Sequence, residues 1–177
     1  MDEMKTGWHW WGGWNPEKIE NWLEEMENSG WHLTKVGFMS IQFKFEKGES
    51  RKMRYCVDYQ VDIKDDYFEL FREDGWELAD DKTVPWYIWR KIYENERPSI
   101  YTDMESLIER NNRQLMTVGI LLPFEIIIFY TILENGSSGV WVLVLFFIMI
   151  LFLGYVTLQL YRYNKKLEKS EMNSKFI

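Results

Sequence analysis

Two histidines, His9 and His32, and one cysteine, Cys56, are all the imidazole and thiol groups that the 177 residues offer. The chain contains no HExxH, no CxxC, no GxSxG and no Walker-type Gly-Lys-Ser/Thr, so the spacings that hold zinc, a nucleophilic serine or a nucleotide are missing. Carboxylates occur in adjacent pairs, Asp65-Asp66 and Asp80-Asp81. A general acid and base must instead stand at a fixed separation with distinct pKa values, and neighbouring acids in polar turns read as solvated surface. His9 lies in a tryptophan-rich strand, where a proton switch near pH 6.5 competes with simple packing among aromatics. No catalytic residue, no metal and no cofactor is expected, and the chain reads as a protein without enzymatic activity. A lone cysteine excludes an intramolecular disulfide, which suits a reducing compartment.

The remaining chemically unusual residue is Glu125, two positions after Pro123 and near the middle of an apolar stretch, Leu115–Leu133. A second stretch, Val140–Tyr161, follows the turn-forming residues Glu134 to Gly139. At 19 and 22 residues each matches a hydrocarbon core of about 30 Å. A carboxyl at that depth is expected to be neutral, or hydrogen-bonded to Thr157, Gln159 or a second protomer, because lipid offers it nothing. Arg110 and Arg113 precede the first span, Arg162, Lys165, Lys166 and Lys169 follow the second, and the connection has no Lys or Arg. The chain is thus expected in the cell membrane with two spans and both termini cytoplasmic. The first 30 residues contain no secretory signal core.

Residues 1–113 carry 16 Lys+Arg against 24 Asp+Glu and nine of the ten tryptophans. So acidic a segment repels phosphate backbones, and direct nucleic-acid binding is not expected. The chain divides into an aromatic-rich domain at 1–96, an amphipathic linker helix at 97–113 and a first span at 114–133. An external turn at 134–139, a second span at 140–161 and a basic tail at 162–177 complete it.

An offset of 45 residues aligns the first domain with itself: Trp22-Leu23 with Tyr67-Phe68, Met26 with Phe71, Gly30-Trp31 with Gly75-Trp76 and Leu33 with Leu78. Each unit reads as strand, helix, strand, strand. In the first helix Asn15 is the expected N-cap and Pro16 the first helical residue, with Ile19, Trp22, Leu23 and Met26 on one face. Gly30 and Gly75 are expected to end their helices in the left-handed region. The strands alternate, with Met39, Ile41, Phe43 and Phe45 on one side, and after Lys47–Ser50 the pattern resumes at Met53, Tyr55, Val57 and Tyr59, which predicts a hairpin. The expected fold is α+β: a tandem strand-helix-strand-strand repeat forming an antiparallel-rich sheet with two helices on one face, followed by a two-helix transmembrane hairpin. If Trp8, Trp10, Trp86 and Ile88 face the helices, then His9, Trp11, Tyr87, Trp89 and Tyr93 form an exposed aromatic patch, a candidate surface for a protein partner or apolar ligand, unless the linker buries them or the core is two-sided. A register slip of one residue would invert it.

The order Trp22-Leu23-Glu24-Glu25-Met26, Gly30-Trp31-His32-Leu33, Phe43-Lys44-Phe45-Glu46-Lys47-Gly48, Tyr55-Cys56-Val57-Asp58-Tyr59 and Gly75-Trp76-Glu77-Leu78 resembles the bacterial family known as domain of unknown function 2812 (DUF2812), over roughly residues 5–93. The resemblance implies a cytosolic module often followed by two membrane spans, in Gram-positive bacteria and near PadR-like transcription regulators. It supplies no catalytic residues. The function expected is a membrane-anchored, non-catalytic interaction or sensor module with a regulatory role, engaging a protein partner and open to forming a homo-oligomer. The alternative is a resistance or immunity protein acting against a membrane-active agent through the two spans.

Overall fold

A computed structural model describes residues 3–37, 40–63, 66–80, 85–100, 104–136 and 139–174, with side chains described from Glu105 in the third helix and up to Lys169 in the fourth. Met39, Asp65, Asp81, Tyr101 and the Ser137-Ser138 part of the turn lie outside the described residues. The chain forms two units, Met1–Thr102 and Asp103–Ile177.

The first unit runs β1 (Met4–Trp8), α1 (Glu17–Asn28), β2 (Trp31–Val36), β3 (Gln42–Lys47), β4 (Met53–Tyr59), α2 (Tyr67–Glu73), β5 (Glu77–Asp80) and β6 (Trp86–Ile92). The repeat is therefore strand, helix, strand, strand twice over. Each copy builds its own antiparallel sheet with the third strand in the middle, in the order β1-β3-β2 and β4-β6-β5. Consequently β3 and β4 do not pair. The expected hairpin is instead the connection between sheets, since β3 spends both edges on β1 and β2.

Helix α1 starts at Glu17 with Pro16 as its cap residue, one position later than Asn15 would place it, and no side chain caps it. Gly30 and Gly75 do adopt φ of 76° and 81°. At the second of these the Trp76 N–H bonds to the Phe71 carbonyl and the Gly75 N–H to that of Arg72, the paired bonds of a Schellman ending. Gly30 is also sterically required, because a Cβ there would stand 2.5 Å from the Gly48 carbonyl oxygen.

The helices take different positions relative to the strands, not one common face. Ile19, Leu23 and Met26 of α1 share a core with Leu33, Phe43 and Phe45 of the first sheet and Tyr55, Val57 and Ile88 of the second. Helix α2 covers the opposite face of the second sheet, where Tyr67, Phe68 and Phe71 meet Cys56, Tyr87 and Trp89. A sheet buried on both faces needs no solvated side, which is why every residue of β4 is buried despite its alternating sequence.

The second unit comprises α3 (Met104–Asn135) and α4 (Val140–Ser174), both long and apolar enough to cross a membrane. α3 runs without interruption through Pro123. Leu115, Val118, Leu122, Glu125, Phe129 and Ile132 are among its less exposed positions, as are Leu143, Phe146, Ile150, Leu153, Thr157, Leu160, Asn164 and Leu167 on α4. Spacings alternate between three and four in both series, the signature of two helices meeting along a seam. Asn111 Nδ2 donates to Asn164 Oδ1 at 2.9 Å and Asn164 Nδ2 to Asn112 Oδ1 at 2.8 Å, which fixes the antiparallel register.

Candidate interaction surface and buried polar networks

The positions nominated from sequence do not come together. Trp89 is fully buried and Tyr87 nearly so, because α2 lies over them: the Phe71 ring stacks on Trp89 at 4.4 Å and Tyr67 meets both residues. Alternation along β6 does separate Trp86 and Ile88 from Tyr87 and Trp89, but a second core, not solvent, receives the latter pair. His9 and Trp11 are half-buried and turned inward. His9 stacks on Trp22 at 4.6 Å, and Trp11 donates its indole N–H to the Ser40 carbonyl at 2.7 Å while meeting Trp86 edge-on. Tyr93 is half-buried and, with Arg51, Lys52, Ile92 and Glu94, lines an open groove of about 530 Å³.

The exposed aromatics are the ones expected inside. Trp8 is 62% and Trp10 72% exposed, and Met4, on the same face of β1 as Trp8, is 60% exposed. The inversion has a simple origin. β1 runs from Met4 to Trp8, and Lys5, Gly7 and His9 lie on its face toward α1. Gly7 leaves the space that the Trp22 ring occupies, within 3.1 Å of where a Cβ would sit.

β1 is an edge strand. Its Lys5 and Gly7 pair with Phe45 and Phe43, and the His9 N–H bonds to the Ile41 carbonyl, so the backbone groups of these odd-numbered residues point to β3. In an antiparallel ladder the even-numbered Met4, Thr6 and Trp8 then direct their N–H and C=O groups away from the sheet. No hydrogen bond fills them among the described residues.

The equivalent edge in the second repeat is closed. Glu20 Oε1 accepts the Val57 N–H at 2.9 Å and Glu24 Oε1 the Tyr55 N–H at 3.4 Å, so two carboxylates of α1 stand where the carbonyls of a neighbouring strand would accept. Glu27 accepts from the Leu33 N–H at 3.1 Å and the Tyr55 hydroxyl at 2.7 Å. The charge is balanced by arginines. Arg54 donates to Glu24 at 2.5 Å and Glu20 at 2.9 Å, Arg51 to Glu27 at 2.6 Å, and Arg97 to Glu24 at 2.9 Å. Burial, then the Glu27 charge, raises the Tyr55 hydroxyl above its ordinary range. Burial pushes the Cys56 thiol up to about 12, which leaves it protonated and unreactive at neutral pH. Three carboxylates spaced i, i+4, i+7 beside the apolar stripe were the sequence signal for this network, and they read equally well as a solvated flank.

A second polar chain ties α2 down. Trp89 Nε1–H donates to the Tyr67 hydroxyl at 3.1 Å, and that hydroxyl donates to Asp58 Oδ2 at 2.9 Å. Burial and the Asp58 charge raise the Tyr67 pKa, so it stays a donor. Among the described residues no cluster of His, Cys, Asp or Glu could hold a metal ion.

In the second unit Glu125 falls on the α3–α4 seam, and its Oε2 is buried without a hydrogen-bond partner. Counted equally along both helices from the Asn111–Asn164 contact, it stands level with Ile150. Thr157 lies about 10 Å away by helical rise and bonds its own Leu153 carbonyl, so neither it nor Gln159 is the partner expected from sequence.

No curated protein and no solved structure matches the chain. The family model described as a protein of unknown function, DUF2812, matches residues 15–122, from the turn before α1 into α3. That match spans more than half of the 177 residues, and the chain belongs to the DUF2812 family.

Proposed function

We propose that the chain is a membrane-anchored interaction module without catalytic activity, its first unit in the cytosol and its two apolar helices in the bilayer, and that it serves regulation by holding a protein partner at the membrane. The observation that carries this reading is the contrast between the two repeats: β4 is sealed by carboxylates while β1 stays open and is flanked by exposed Met4, Trp8 and Trp10. Exposed strand edges are usually guarded, and an unguarded one beside large apolar side chains is where an extended chain can add a strand. Most of the ionisable groups buried in the first unit are tied to one another or to backbone, which favours a scaffold over an active site. The cationic flanks of the spans favour cytoplasmic termini. The setting beside PadR-like regulators that the resemblance implies favours the regulatory role.

The test is co-purification of the tagged full chain from native membranes. A protein retained by the wild type and lost from a Trp8→Ala/Trp10→Ala variant of unchanged stability is expected; equal retention would remove the surface from consideration. A second reading, an immunity protein acting through its spans, is favoured by the unpaired carboxyl of Glu125. That reading requires Glu125→Leu to abolish protection in cells while the β1 variant keeps it.

A further inference from the structure

We infer that the open edge of β1 is taken by the β1 strand of a second copy, paired antiparallel about Thr6. This rests on the interaction reading above and names its partner. An isologous contact must be self-complementary, because each residue meets the copy of another across the two-fold axis. With Thr6 opposite Thr6 of the second copy, Met4 falls opposite Trp8 and Trp8 opposite Met4. All three residues direct their free backbone groups outward, so the register uses every unfilled donor and acceptor of the strand. It also places the two large exposed side chains against each other on one face, where a thioether meets an indole. Shifting the pairing by two residues either way leaves one of these side chains without its counterpart.

Charge agrees with this arrangement. Native edges commonly protect themselves with outward lysines. In β1 the lysine is Lys5, which belongs to the opposite face and lies over the Trp31 ring at 5.1 Å, leaving the outward set Met4, Thr6 and Trp8 uncharged. In the pairing each Lys5 stands opposite Gly7 of the second copy, so the two cations do not meet. Anchoring in one membrane confines both copies to a plane and raises their effective concentration.

The test is disulfide trapping in the full chain within membranes. Cys56 is buried and does not compete. Thr6→Cys is the one substitution in β1 that meets itself, and an antiparallel bonded pair brings its Cα atoms to about 5.5 Å, within disulfide reach. Oxidation is expected to give at least tenfold more covalent dimer from Thr6→Cys than from Met4→Cys or Trp8→Cys alone. Co-expressed Met4→Cys and Trp8→Cys chains should cross-link to each other. Thr6→Pro removes an outward N–H while leaving the bonds to β3, and should abolish self-association of the intact protein. Equal yields at positions 4, 6 and 8, or dimers that survive Thr6→Pro, overturn the inference. No Thr6→Cys dimer together with a different protein lost on Trp8→Ala overturns the second copy and leaves the interaction module standing. No dimer and no lost partner removes both.

Discussion

Replacing Glu27 with alanine tests whether the buried carboxylates hold the two repeats together. Glu27 is fully buried and accepts four hydrogen bonds, from Arg51 Nε at 2.6 Å, Arg51 Nη2 at 3.3 Å, the Tyr55 hydroxyl at 2.7 Å and the Leu33 N–H at 3.1 Å. Arg51 is about a third exposed and can rehydrate, so its share of the loss is small. The Tyr55 hydroxyl and the Leu33 N–H cannot, and each stranded group costs about 1–3 kcal/mol. Their sum agrees with the roughly 3–5 kcal/mol that follows removal of one partner from a buried ionic pair. Against a total stability of about 5–15 kcal/mol, that is a large fraction. Glu27→Gln keeps an acceptor for Tyr55 and Leu33 and loses chiefly its charge toward Arg51, which is a third exposed, so it should cost only about 1–2 kcal/mol. Urea denaturation of the detergent-solubilised full chain, followed by tryptophan fluorescence, reads this directly, since nine of the ten tryptophans precede residue 114. A loss below about 1 kcal/mol for Glu27→Ala, or a glutamine variant no better than the alanine one, would refute the assignment.

Trp89→Ala should destabilise the first unit by about 3–5 kcal/mol, while Trp8→Ala should stay within about 0.5 kcal/mol, measured by the same denaturation. Gly30→Ala should cost more than Gly75→Ala: both sit at positive φ, worth about 1–2 kcal/mol, but only at Gly30 would the new Cβ meet backbone. Burial against Trp22 lowers the pKa of His9 from 6.5, so its contribution to stability is full above pH 6.5 and is lost as pH falls through the lowered value; His9→Gln should flatten that acid limb in melting curves. Glu125→Leu should ease insertion of α3 by about 2.5–3.5 kcal/mol on translocon scales, and Glu125→Gln by less, as glycosylation-mapped insertion assays would show.

Much of the fold was legible because its signals are local. Gly30 and Gly75 mark helix ends through a backbone constraint that no neighbour can override, and the 45-residue offset exposes the duplication without any three-dimensional knowledge. The apolar spans announce themselves by length. What failed depended on partners distant in sequence. Alternation along β6 gives the parity of Trp86 to Trp89 correctly, yet parity says nothing about whether α2 covers the other face. In β1 three tryptophans within Trp8–Trp11 outweighed the single glycine at position 7 that in fact admits a ring, and the inside and outside of the strand were exchanged. Glu20, Glu24 and Glu27 could be read only from their spacing, and a solvated flank has the same spacing as a sealed edge.

The carboxylates of α1 give the duplicated halves unequal duties. At the same offset the sequence has Asp65, Glu69 and Arg72 where the first helix has Glu20, Glu24 and Glu27, so a cation replaces the last anion. Among the described residues only the leading half owns a latch, and the trailing half owns the strand it closes on. During synthesis α1 leaves the ribosome with three charges that find their arginines only after residue 54, or for Arg97 after the whole unit, has emerged. A chain severed within Lys47–Ser50 would yield two fragments that are each incomplete and mutually required, and their reassembly in trans would occur by the helix of one docking on the strand of the other.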